Sequence, residues 1–243
     1  MKPSRSFIAC AAMLIWMFSL PIPAQGQVRE WDFSVSAFGG GALPFTTDVK
    51  RSGSGLGVPF SFAGKGLELN SSVSFGGKIT DWWLGLRHGS NLDFGAELDI
   101  SQSYPNLKAQ TASMTGSNGG LPVSGLSVPF PRVAISSTIL AINALLRWPL
   151  GVTPELPNSR WYPYIGWGGG ADIAHAKSLD LEQTDAVPAW QALGGVQFFL
   201  TRHLAAFAEY KFTQAGHTYK FSWEYEKETA NVNHLVAEPS WHF

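Results

Sequence analysis

Residues 91–101, NLDFGAELDIS, separate into two rows when every second residue is taken. Leu92, Phe94, Ala96, Leu98 and Ile100 form one row; Asn91, Asp93, Gly95, Glu97, Asp99 and Ser101 form the other. Successive side chains on a strand point to opposite faces, so this is a strand with one oily face and one acidic face. A soluble sheet would bury the oily row. A membrane barrel would turn it to lipid and aim the carboxylates at the lumen.

Composition favours lipid. Of 243 residues only 14% are charged, against roughly 25% in an ordinary soluble protein. Aromatics reach 13%, with 10 Trp, and the net charge of −1 leaves no basic field for nucleic acid. The amino terminus points the same way. Lys2 and Arg5 precede an apolar run over residues 7–20, and Ala24 and Gly26 follow as small residues suited to cleavage before Gln27. Residues 1–26 are therefore read as a signal peptide and 27–243 as the exported domain. The single cysteine, Cys10, leaves with that signal, so the mature chain has neither a disulfide nor a thiolate site. No later stretch reaches 18 uninterrupted apolar residues, so a membrane-embedded product has to be a closed barrel.

The same alternation recurs along the chain. Strands are expected from near Arg29 through Phe38, then over about 71–83, 91–101, 133–148, 161–176, 189–201, 204–215 and 231–243. Residues 44–70, 104–132, 175–188 and 216–230 read as long loops, the first two rich in turn residues with no period. The connections near 84–90 and 201–203 are short, and the one over 149–160 is intermediate. Alternating short and long connections are those of an eight-stranded antiparallel up-and-down transmembrane β-barrel with its long loops outside. Pro239 cannot donate to a ladder, and a bulge is expected there.

Parity then assigns the faces. Trp31, Trp83, Trp148, Trp161, Trp241 and Phe243 fall on the oily row near the short-turn ends, as an interfacial girdle would. The opposite row carries Asp32, Lys78, Asp93, Glu97, Asp99, Arg147, Asp172, Glu209, Lys211 and Glu238. Those charges gather as a lumen cluster, since ten such groups buried in a soluble core would carry a large desolvation cost. An eight-stranded lumen has room for side chains rather than a wide water column, so the cluster reads as a salt-bridged plug; a narrow small-solute pore is the alternative.

The segments LLRWPLGV, LPNSRWYPYIGWGGG and WQALGGVQFFLTRHLAAFAEYKF, with the closing Phe243, resemble the OmpA/OmpW-like outer-membrane β-barrel domain family. The resemblance covers nearly the whole mature chain. It implies an outer-membrane location in a Gram-negative envelope, and that Trp241 and Phe243 serve as the terminal signal met by the barrel-assembly machinery. It also implies outer-membrane lipid and possible surface ligands at the loops as partners. It fixes no role, because the family holds structural barrels, adhesins and small-solute pores.

No catalytic, cofactor or metal site is expected. His88-Gly89-Ser90-Asn91 looks similar to the His-x-Ser-Asn segment of lipid A deacylases, which gives a lower-ranked reading as a lipid A-modifying hydrolase. However, the topology puts it in a periplasmic turn, away from outer-leaflet lipid A. His88, His175, His203, His217, His234 and His242 show no ligand spacing, and GWGGGAD lacks the Lys-Ser/Thr of a phosphate loop.

Overall fold

The computed structural model describes residues 31–55, 57–84, 92–150, 160–178, 181–221 and 224–243. The expected signal peptide and the His88–Asn91 segment lie outside the described residues. Among the described residues twelve strands run in chain order: β1 (Trp31–Pro44), β2 (Thr47–Gly55), β3 (Val58–Leu67), β4 (Ser72–Trp83), β5 (Asp93–Ser103), β6 (Gln110–Asn118), β7 (Leu121–Phe130), β8 (Ala134–Arg147), β9 (Trp161–Ser178), β10 (Leu181–Phe199), β11 (Leu204–Phe221) and β12 (Glu224–His242).

Eight of them close a barrel in the order β1-β4-β5-β8-β9-β10-β11-β12, and β12 pairs back onto β1 from Ser34↔His242 to Pro44↔Val232. Every pairing is antiparallel. Paired residues starting at Trp31 run through Trp83, Phe94, Leu146, Ile165, Gly194, Tyr210 and Leu235, and return to β1 at Gly41, ten residues further on. That stagger tilts the strands by about 40° and leaves an interior that side chains can fill. The start of β1 and the end of β12 meet at one rim, the terminal rim, where the Phe243 N–H donates to the Phe33 carbonyl at 2.9 Å.

The segments expected as loops are also strands. The β2–β3 and β6–β7 hairpins join through β3–β6, and β2 pairs with β12 over Glu224–Glu228, above the point where β1 leaves it. Likewise β9 and β10 continue as a hairpin up to the Leu181↔Ser178 pair, and β11 and β12 up to Phe221↔Glu224. Long β strands therefore stand at the rim opposite the termini. The four-stranded β2-β3-β6-β7 extension, here called the hood, rises from one of them.

The hood packs on an apolar core that it shares with the barrel rim. Val49, Leu67, Leu69, Leu107, Ala112, Met114, Phe130 and Ile135 are buried together, with Phe62, Val128, Val133 and Ala176 packed on them. Two bridges, Leu69↔Leu107 and Leu107↔Val133, tie its base to the barrel rim. Asn106 reinforces the joint: its carbonyl accepts from the Asn70 N–H, and its Oδ1 accepts from the Ile135 N–H, each at 2.8 Å.

The expected bulge at Pro239 is absent. Pro239 pairs in register with Ala206 on β11, whereas on the β1 side the ladder skips Ala37 and Phe38 and resumes unshifted at Gly39↔Ala237. A proline missing one donor needs no extra residue here; the seam omits two pairs and keeps its register.

Candidate functional site

The lumen is built from the inward parity of the eight barrel strands. Asp32, Lys78, Asp93, Glu97, Asp99, Arg147, Asp172, Glu209, Lys211 and Glu238 are all buried. Their partners lie on other strands, often across the barrel axis, and they fall into linked groups.

Nearest the terminal rim, Arg147 on β8 donates through Nη2 to Asp32 at 2.7 Å, through Nε to Asp93 at 2.9 Å and through Nη1 to Gln197 at 3.1 Å. The Gln197 amide spends its N–H on His242 Nε2 at 2.7 Å, which leaves the His242 Nδ1–H for Asp32 at 2.7 Å. Each group thus receives a donor where it has an acceptor, as a buried network must to be stable. The guanidinium also sits between the rings of Trp82 and Tyr162, 4.2 and 4.8 Å from their centroids.

In the middle, the Lys78 ammonium lies 2.6 Å from Glu209, 3.4 Å from Glu238 and 3.7 Å from Glu97. The Tyr164 hydroxyl donates to Glu209 at 2.8 Å, while Asn143 and Thr80 donate to Glu97 at 2.8 and 3.3 Å. Asn143 in turn accepts from Gln191 at 2.8 Å, and Gln191 reaches Asp99 at 3.3 Å. Asp99 on β5 closes the chain by pairing with Lys211 at 2.6 Å, and Lys211 comes from β11 on the far side of the barrel.

The aromatics in this row were legible by parity but not singled out by the sequence reading. Trp82, Phe38 and Tyr164 each lie across an inward glycine on the next strand. A Cβ at Gly95 would come within 2.6 Å of the Trp82 ring, one at Gly76 within 2.6 Å of Phe38, and one at Gly195 within 2.7 Å of the Tyr164 hydroxyl. These glycines are floor space for rings, and Phe38 then turns a face to Lys211 at 4.8 Å. The glycine row of β9 works likewise: a Cβ at Gly168 would meet Asn143 Oδ1 at 2.1 Å.

At the hood end, Asp172 accepts from Ser137 at 2.7 Å and lies 3.2 Å from His217, and His234 bridges Thr213 and Ser74. The space left here is about 30 Å³, lined by Ser137, Asp172, Thr213, His217 and His234 beneath Leu69 and Ile135. That admits a water or two, not a solute. His234 and His242 share a face yet belong to different groups. Among the described residues no cluster of three or more His, Cys, Asp or Glu side chains could hold a metal ion.

The outer wall is the converse. Val73, Phe75, Ile79, Leu98, Ile100, Leu140, Ile142, Ile165, Ile173, Val196 and Leu235 are exposed there. Of the aromatics read as a girdle, Trp31, Trp83, Trp161 and Trp241 are exposed and Trp148 and Phe243 half-buried. They lie at the strand ends nearest the terminal rim, where Trp31 packs edge-on against Trp83 with centroids 5.9 Å apart, and Phe33 lies against Phe243 at 6.0 Å. An exterior this apolar around an interior this charged is the polarity of a transmembrane barrel.

No family model matches the chain, and no curated protein matches it. Solved structures do. Neisserial surface protein A aligns at 15% identity over 87% of this chain and 97% of its own, with a TM-score of 0.47. The outer membrane protease OmpT from Escherichia coli aligns at 8% identity over 89% and 99%, with a TM-score of 0.46. The outer membrane protein OprG from Pseudomonas aeruginosa aligns at 15% identity over 91% and 99%, with a TM-score of 0.40. The closed strand pairing of this chain by itself makes the architecture an eight-stranded barrel.

Proposed function

We propose that the chain is an outer-membrane barrel with a structural or surface-interaction role, embedded by its apolar wall and holding the hood outside the cell. In this reading residues 1–26 direct export, and Trp241 and Phe243 at the end of β12 are met by the barrel-assembly machinery. The partners are membrane lipid around the wall and surface ligands at the hood and the β9–β10 and β11–β12 hairpins. The observation that carries it is the cross-lumen network, in which Lys78, Arg147 and Lys211 tie together strands from opposite sides of the barrel. Such bracing fills the described lumen with paired side chains, which favours a rigid base for the hood over a solute path. No catalytic role is assigned to any described residue.

Planar-bilayer recording tests this. The folded, detergent-purified barrel is expected to insert and give no stepwise conductance. Regular steps would replace the plug with the narrow-pore reading, and their cation preference would follow from seven buried carboxylates facing three fixed cations. Failure to enter bilayers at all would remove the membrane reading.

A further inference from the structure

The lipid-facing wall is not uniformly convex. On β5, β8 and β9 it carries a recess of about 530 Å³, floored by Ala96 and Ala144 and walled by Trp83, Phe94, Ile142 and Trp167. That volume falls within the roughly 300–1,000 Å³ of small-ligand sites. Lipid tails and these side chains are equally apolar, so burial alone gives the recess no preferred occupant; shape gains dispersion contacts, and a polar anchor has to give the selectivity.

Such an anchor stands beside it. Asp81 on β4 is on the outward row, paired in register with Phe33 on one side and with Ala96 of the recess floor on the other. It is half-exposed, two residues inward of Trp83. Among the described residues no ion pair engages it. A carboxylate turned toward lipid at the edge of the aromatic rim is costly unless a cation meets it. A primary-ammonium lipid headgroup at the interface carries such a cation.

We propose that this recess binds one phospholipid, its acyl chain along Ala96 and Ala144 and its primary-ammonium headgroup on Asp81. The site rests on the membrane reading and extends it: an inserted barrel with no lipid preference defeats this proposal alone, whereas a barrel that does not insert defeats both.

The test is native mass spectrometry of the whole barrel released from nanodiscs of matched dioleoyl phosphatidylethanolamine and phosphatidylglycerol. The ethanolamine lipid is expected to be retained roughly threefold over the glycerol lipid, the ratio a partly exposed ion pair gives. Asp81→Asn should bring that ratio close to one, and Ala96→Leu with Ala144→Leu should lower retention of both lipids, with heat-modifiable gel migration reporting that each variant folds. Equal retention by the wild type, a preference that survives Asp81→Asn, or retention that survives filling of the recess would each overturn the proposal. So would a dimer that the filled variant disperses, because the recess would then seat a second copy of the chain.

Discussion

Lys78 and Met114 are equally hidden, 3% and 2% exposed, in opposite kinds of interior. Lys78 sits in the barrel among Glu97, Glu209 and Glu238; Met114 sits in the hood among Val49, Leu67, Ala112 and Phe130. One sheet passes continuously from the first region to the second, through the β12–β2 pairing. The backbone rules are thus the same in both, and only the surroundings differ. Where lipid lies outside, apolar side chains gain nothing by turning inward, and the polar ones collect on the axis and pair with one another there. Where water lies outside, the usual order returns and burial of apolar surface holds the extension together. A hydrogen-bonded ladder tolerates either, because alternation supplies two faces and the medium selects which is in.

The contrast is tested most severely at Arg147. Arg147→Leu removes the guanidinium that Asp32 and Asp93 share in the buried lumen, and a loss of about 3–5 kcal/mol is expected. Urea unfolding in micelles or bilayers, followed by tryptophan fluorescence, reads it; a loss below about 1 kcal/mol would mean that water, not the guanidinium, satisfies these carboxylates.

A matched pair of exterior substitutions comes next. Leu98 on the barrel wall and Leu126 on the hood are both 44% exposed. Leu98→Arg should cost about 2–4 kcal/mol in a bilayer, whereas Leu126→Arg should stay within about 0.5 kcal/mol. Equal effects would erase the distinction between the two surroundings.

Met114→Ala probes the other interior. A loss of about 2 kcal/mol is expected, low for such truncations because the strand opposite carries Gly64 and the sheet can settle into the gap. The effect should be local, with faster proteolysis within β2–β3 or β6–β7 while the barrel keeps its heat-modifiable migration. A barrel that unfolds with the hood would show that the two regions form one cooperative unit.

The smallest effect is expected at the exposed Lys108–Glu68 pair, 2.8 Å apart at the base of the hood. The ammonium holds the Glu68 carboxyl below its ordinary value. Whatever stability the pair adds is present above the usual carboxylate range and lost as the pH falls through the lowered value. Glu68→Gln should leave stability at neutral pH unchanged within error, and salt should screen what remains. A measurable, salt-resistant loss would mean that this joint is more buried in the membrane than in water.

The sequence was informative where one face of a strand meets lipid. The row Leu98, Ile100 against Glu97, Asp99 could be read in both strand position and facing; β4, β5, β8 and β9 lie within two residues of their expected bounds, while β1, β10, β11 and β12 run six to eight residues further at the rim that carries the hood. Reading failed in the hood, where β2 (TDVKRSGSG) and β6 (QTASMTGSN) contain too few bulky residues to show a period. Ala112 and Met114 do alternate with Thr111 and Ser113, but against Gly and Ser on both sides the signal is no stronger than a loop's. The inward Trp82, Tyr162 and Tyr164 could have been found by continuing the parity of Asp32 and Arg147, since their ring faces belong to the same row.

What the linear chain dictated is therefore local: a two-residue period, the alternation of short and long connections, and a polarity that only lipid outside can satisfy. What folding in three dimensions settled is pairing at a distance. Lys211 meets Asp99, 112 positions away, because a ten-residue stagger brings opposite strands level at that height. No period within a strand encodes that stagger. It arises only when the sheet closes, and with it come the network across the lumen and the rim on which the hood is built.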